Sequence, residues 1–215
     1  MIEASDRIPT RMSGYPIVLD VSDRLIVIVG GGNVALRKAK GLLACGATKI
    51  RVISPAFHAE MPPAVQRVMG KYRREHLSGA TLVFAATDVA SVNEQVERDA
   101  REIGALVCRA DADDAGDFST PAMHRDGELL LTVSSGGPAL SALVRDRIAA
   151  SIDPRWVKMA AAMRTLRPMI REKMSASIRR KVFVELCSDA AFAELENGGV
   201  EDLLQWIQVK FPQLK

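Results

Sequence analysis

The chain has 215 residues, 48% hydrophobic and 26% charged, with a net charge of +3, 15 Gly and 10 Pro. That balance excludes intrinsic disorder and collagen-like structure and fits one or two domains. No apolar run approaches ~18 residues, which excludes a membrane-spanning helix, and the acid-bearing N-terminus lacks the apolar core of a secretory signal. The expectation is a soluble, cytoplasmic protein.

Residues 1–13 have no period and read as a loose extension, followed by an extended Pro16–Asp20 and a turn over Val21–Arg24. Leu25-Ile-Val-Ile-Val29 is continuously apolar, which predicts a parallel strand buried on both faces. Gly30-Gly31-Gly32 ends it, and Val34–Ala44 turns helical, with Gly46 as a stop. Lys49–Ile53 predicts a second strand, closed by Ser54-Pro55. Strand, crossover helix and strand in about thirty residues make a βαβ unit. The rhythm continues with a weaker strand at Val68–Arg73, a strand at Thr81–Ala86, a helix at Val89–Ile103 and a strand at Ala105–Cys108. The fold class is therefore α/β, a Rossmann-like doubly wound parallel sheet with helices on both faces.

After residue 110 the rhythm changes. An acidic loop spans Asp111–Asp117, and one strand, Leu129–Val133, follows the Asp126-Gly127 turn. Helical patterns then cover Leu140–Ile152, Pro154–Leu166, Met169–Leu186 and Val200–Val209, with breaks expected at Pro154 and Pro168 and Gly198-Gly199 before the last helix. The three cysteines, Cys45, Cys108 and Cys187, are isolated and read as small buried hydrophobes in a reducing compartment. His58, His76 and His124 are equally scattered, which disfavours a zinc site.

Three segments carry chemistry. Gly30-Gly31-Gly32-Asn33-Val34-Ala35 is a G-x-G-x-x-A that follows a strand and opens a helix, the context that makes a glycine loop a dinucleotide site. Gly30 permits the tight turn, Gly32 lets the backbone approach a pyrophosphate, and Ala35 lets helix and strand pack closely. The acid that usually bonds the adenosine ribose about 20 residues on is absent at Val52-Ile53-Ser54-Pro55, which leaves NAD or NADP open locally. The acidic loop (Asp111, Asp113, Asp114, Asp117) falls at the carboxyl edge of the sheet, where it is either a solvated turn or a general base or electrostatic partner in hydride transfer. Ser134-Ser135-Gly136-Gly137 joins a strand to a helix, as an ordinary capped turn or as a binder of carboxylate or phosphate. From Arg155 to Lys181 there are nine Lys or Arg and one acid, Glu172. That excess suits either a solvated face or an anionic small-molecule partner. It lacks interleaved aromatics beyond Trp156, which disfavours nucleic acid.

Tyr15–Asp20, Val27–Ala35 with Arg37-Lys38-Ala39, Phe84-Ala-Ala-Thr-Asp88 with Asn93, Asp111, Asp117-Phe118, Pro121-Ala122 and Ser134–Gly137 together resemble the precorrin-2 dehydrogenase and sirohydrochlorin ferrochelatase family, which is also the N-terminal module of siroheme synthases. The resemblance covers roughly residues 14–150. It implies NAD-dependent oxidation of precorrin-2 to sirohydrochlorin on the route to siroheme, and in several members insertion of ferrous iron as a second substrate. It places Asn33, Val34, Pro55, Ala56 and Thr87 with the glycines at the cofactor. Asp111 is implied as the catalytic residue of both steps, with transient contact to the iron, and Ser134, Ser135, Gly136 and Gly137 at the tetrapyrrole. It also implies a homodimer divided into a NAD-binding domain (14–112), a dimerisation and substrate segment (113–152) and a helical C-terminal domain (153–215). The chain departs from the family pattern at Cys108-Arg-Ala110, where an Asn-Val or similar pair is common, and at Gly137-Pro138-Ala139-Leu140, which is shorter. A dehydrogenase for another small substrate and a non-catalytic NAD-sensing regulatory domain are the competing readings of the same residues.

Overall fold

The computed structural model describes residues 14–112 and 115–214 and divides into two compact units, Met1–Thr120 and Pro121–Lys215. In the first, five parallel strands lie in the order β3-β2-β1-β4-β5. They are β1 (Leu25–Val29), β2 (Lys49–Ser54), β3 (Gln66–Met69), β4 (Leu82–Ala85) and β5 (Leu106–Arg109). Alternation of side chains explains why β1 carries no polar position. Ile26 and Ile28 pack with Ala35, Leu36 and Ala39 of α1 (Asn33–Ala44), while Val27 and Val29 pack with Val96 and Ala100 of α2 (Ala90–Glu102). Each face of the strand thus removes apolar surface from water against a different helix.

Chain order reverses at β1. The sheet grows one way through β2 and β3, then resumes on the other side of β1 with β4. That reversal opens a crevice at the carboxyl ends of β1 and β4, which end in register at Val29 and Ala85. The predicted third strand lies earlier than its pattern suggested, at Gln66–Met69, because Gly70 (φ 145°) breaks it and its side chains are mostly exposed edge positions.

The second unit holds a hairpin, β6 (Ala122–Asp126) with β7 (Leu129–Val133), and four helices: α3 (Pro138–Ala150), α4 (Pro154–Lys173), α5 (Ala176–Glu185) and α6 (Asp189–Lys210). Strand β6 was not expected, since Ala-Met-His-Arg-Asp has little apolar content; pairing across the two-residue turn, with Gly127 at φ 52°, sets it. Pro154 does start a helix, at N1 behind the Asp153 cap. Pro168, expected as a break, lies inside α4. The buried stripe Met159, Ala162, Leu166 and Ile170 continues at helical spacing through it, and this packing outweighs the lost backbone bond. The break falls instead at Met174, with φ −129° and ψ 146°. Gly199 (φ 72°) kinks α6, whose first half the sequence pattern missed. Cys108 is buried as expected, whereas Cys45 is partly covered and Cys187, just past α5, is exposed. Among the described residues no helix is long and apolar enough to cross a membrane.

Candidate functional site

The loops after β1, β4 and β5 start at one level, tied by backbone bonds from Gly30 N to Ile53 O (2.9 Å), Ala86 N to Val29 O (2.8 Å) and Ala110 N to Ala85 O (2.9 Å). The three glycines do different things. Gly30 has φ 123°, and a Cβ there would lie 2.2 Å from Ala86 O. Gly31 is walled in by Ala56 O and the Ser54 hydroxyl, at 2.0 and 2.7 Å from a notional Cβ, and its carbonyl accepts from His58 N (2.7 Å). Gly32 faces open space, with nothing within 4 Å. The first two therefore fold the loop and the third keeps its outer side clear. Gly30→Ala should destabilise the protein by more than about 1 kcal/mol, from positive φ and the backbone clash together, read as a lower midpoint of thermal unfolding. An unchanged midpoint would remove this account of the turn.

Gly32 is the N-cap of α1, no side chain caps that end, and the first turn holds no acid. The free amides and the positive end of the helix dipole, including those at Asn33 and Val34, suit an anion. Close packing of Ala35, fully buried against the sheet, brings that end to the crevice. These residues fit a dinucleotide pyrophosphate. Pro55 and Ala56 are exposed beside Gly31. No acid follows β2, and Arg51 is spent on His76 O (2.8 Å) and Gln66 (3.0 Å), so it is no 2′-phosphate clamp.

Thr87, after β4, is gripped by Asn93 of α2. Asn93 Oδ1 accepts from Thr87 N (3.1 Å) and from its hydroxyl (2.8 Å), while Asn93 Nδ2 donates to Thr87 O (3.0 Å). Asn93 is fully buried, and its amide helps to lower the pKa of the Asp111 carboxyl.

Asp111 follows β5 and lies two strands from the glycine loop, about 10 Å by strand spacing. Arg109 donates to both its oxygens, Nε to Oδ1 (3.1 Å) and Nη2 to Oδ2 (2.8 Å). This guanidinium, then the Asn93 amide, holds the Asp111 carboxyl below its ordinary range, against the opposing effect of burial. The third nitrogen of Arg109 reaches Glu97 Oε2 at 3.2 Å. Glu97 Oε1 accepts from Gly116 N (3.2 Å) and Arg101 (2.9 Å); Arg101 also bonds Asp117, whose other oxygen accepts from Val107 N (3.0 Å). Asp113 and Asp114 lie outside the described residues. The sequence reading missed Arg109, Glu97 and Arg101. The i,i+4 polar row Asn93, Glu97, Arg101 on α2 is the signal that marks them.

In the second unit, Ser134–Gly137 link β7 to α3. The Ser135 hydroxyl is used within the loop, bonding Gly137 O (2.9 Å) and the Ser141 hydroxyl (2.7 Å), while Gly136 and Gly137 face open space. In the basic segment, Arg155 pairs with its cap Asp153, Arg164 pairs with Glu128, Arg167 stands over Phe183, and Lys173 donates to Leu214 O (3.2 Å). Arg164 and Arg167 line an open cleft of about 600 Å³ with Met163, Phe183 and Cys187. Arg171 and Arg180 are exposed.

An uncapped helix N-terminus behind a glycine turn, at the reversal point of a parallel sheet, defines a dinucleotide-binding Rossmann domain. Residues 17–122 match the family model described as putative NAD(P)-binding. The chain is 34% identical over 202 residues to siroheme synthase from Nitrosomonas eutropha, covering 90% of this chain and 42% of that one. It is 33% identical over 197 residues to siroheme synthase from Azotobacter vinelandii, covering 88% and 42%. The chain thus spans less than half the length of the curated relatives it matches. Its structure is similar to SirC, a precorrin-2 dehydrogenase, with a TM-score of 0.72 and 25% identity, covering 91% of this chain and all of that one. The chain is thus similar to siroheme synthases over less than half of their length and to a precorrin-2 dehydrogenase over the whole of it, and its residues 17–122 carry the NAD(P)-binding match.

Proposed function

We propose that the chain is an NAD-dependent precorrin-2 dehydrogenase, forming sirohydrochlorin for siroheme synthesis as a cytoplasmic homodimer. The observation that carries this reading is the clear, uncapped N-terminus of α1 on the same sheet edge as Asp111. When bound, NAD supplies the hydride acceptor. The reaction balances as precorrin-2 plus NAD⁺ giving sirohydrochlorin, NADH and a proton. Gly30, Gly31, Gly32, Asn33 and Val34 bind the pyrophosphate, Pro55 and Ala56 flank the nucleotide, and Thr87, held by Asn93, forms the opposite lip of the crevice. Asp111 acts as a fixed anion. With both oxygens accepting from Arg109 it is a weak base, but its charge favours the positive charge that builds as hydride leaves the macrocycle. Ser134, Ser135, Gly136 and Gly137 supply backbone groups for tetrapyrrole carboxylates, the loop being open at Gly136 and Gly137.

The division into a cofactor domain (14–112), a dimerisation and substrate segment (113–152) and a helical domain (153–215) belongs to the same proposal. Its support is that α3 leaves Leu140, Leu143 and Ile148 exposed. Anaerobic mixing of enzyme, precorrin-2 and NAD should yield sirohydrochlorin and NADH in equal amounts; binding of NAD without turnover favours a regulatory domain instead.

The exposed cations steer a polyanionic substrate. Arg171→Gln with Arg180→Gln should raise KM about three- to tenfold at low salt and flatten its salt dependence, since steering is screened beyond the Debye length. Identical salt profiles for parent and variant would return these residues to a plain solvated surface. Arg179 and Lys173 are unsuited to the same test, because they bond the backbone at Arg171 O and Leu214 O.

A further inference from the structure

Three described carboxylates lie along β5 and the facing α2, Asp111 at the end of the strand, Glu97 on the helix and Asp117 beside Val107, and the protein's own donors take up every one of their oxygens. Asp111 gives both to Arg109; Glu97 gives one to Arg109 and the other to Arg101 and Gly116 N; Asp117 gives one to Arg101 and the other to Val107 N. Arg109 is the centre of this arrangement. Its side chain is 10% exposed and all three guanidinium nitrogens are engaged. A guanidinium does not give up its proton in a protein, so the clamp is permanent rather than titratable.

We propose that Arg109 is a specificity-determining residue that leaves dehydrogenation open to Asp111 and closes metal insertion. The proposal rests on the dehydrogenase reading above. The two reactions ask different things of the carboxylate. Insertion exchanges one divalent cation for two pyrrole protons, so it needs a carboxylate oxygen basic enough to hold the ion or to take a proton, and not one shared with a guanidinium. Both Asp111 oxygens are already accepting charge-assisted bonds, and an arriving cation meets a guanidinium within the same few ångströms. Hydride removal needs only a negative field. Three carboxylates against Arg109 and Arg101 leave the cluster with a net charge of about −1, and that field survives the pairing. Among the described residues no group of three His, Cys, Asp or Glu is placed to hold a metal ion elsewhere.

The test uses sirohydrochlorin with Co²⁺ as the probe ion, anaerobically, with insertion followed by absorption and compared with the protein-free rate. The parent should add nothing to that rate. Arg109→Met, which keeps reach and packing but removes the charge, should insert at least tenfold faster than the parent. Arg109→Lys, which keeps the charge, should behave as the parent does. Arg109→Gln stands in if the Met variant fails to fold, folding being judged by the thermal midpoint and by NAD affinity. Insertion by the parent above the protein-free rate overturns the clamp, as does a folded uncharged variant no faster than the parent. Failure of the dehydrogenase reading is read separately, as absence of NADH formation from precorrin-2.

Discussion

Gly32→Asp should bind NAD at least 100-fold more weakly than the parent while unfolding at the same or a slightly higher temperature. The two halves of this result have separate causes. A side chain at Gly32 meets no atom within 4 Å, and the backbone there (φ −84°, ψ −162°) is open to any residue, so the fold has no reason to object. Position 32 is moreover the N-cap of α1, where Asp is preferred over Gly by a few tenths of a kcal/mol. The same carboxylate would take the amides on which a pyrophosphate depends and set a negative charge beside it. Two like charges about 4 Å apart near a protein surface repel by about 4 kcal/mol, which is two to three orders of magnitude in affinity. Titration calorimetry with NAD and a thermal melt on one preparation separate these effects. A stable variant with parental affinity would show that the pyrophosphate does not lie at this helix end.

Asp111→Ala should lower kcat about 10²–10³-fold with NAD affinity and folding near parental. That is the range in which a single preorganised electrostatic group acts on a charged transition state. Asp111→Asn should lose nearly as much, because the group is asked for charge rather than for a hydrogen bond. The loss belongs in kcat rather than KM if the anion acts only as charge develops. NAD affinity is spared because Asp111 stands two strands from the glycine turn. Folding is spared because the Arg109 charge still has Glu97. Turnover of precorrin-2 by Asp111→Ala at the parental rate would remove Asp111 from the chemistry.

What was legible in the sequence follows from which physical signal each element carries. Leu25–Val29 is buried on both faces and so carries no polar residue, which makes it readable without any partner in view. The glycine turn is readable for a similar reason, since Gly30 needs a positive φ and Gly31 leaves no room for a Cβ. Strand β6 is different. Its residues are only partly covered, and its conformation is imposed by pairing with β7. Pro168 misled because a local rule about backbone bonds was overridden by the stripe from Met159 to Ile170, a property of the whole helix. The site divides along the same line. The cofactor loop is contiguous and visible in the sequence. The surroundings of Asp111 are assembled from β5, α2 and the loop reaching Asp117, and Arg109, Glu97 and Arg101 come together only when β5 and α2 pack. Asp111 therefore reads in the sequence as a candidate free base, and in the fold as a carboxylate held at both oxygens.

The central claim is that NAD held at Gly32 and a tetrapyrrole beside Asp111 react in one site. A single-turnover experiment tests it most directly, with the enzyme in excess over precorrin-2, NAD saturating and oxygen excluded. The account predicts that sirohydrochlorin and NADH appear together, in equal amounts and at one rate, in the parent. It predicts that both are lost in Gly32→Asp and that both slow equally in Asp111→Ala. Sirohydrochlorin formed without NADH, or no conversion of precorrin-2 by a parent protein that binds NAD, would contradict it.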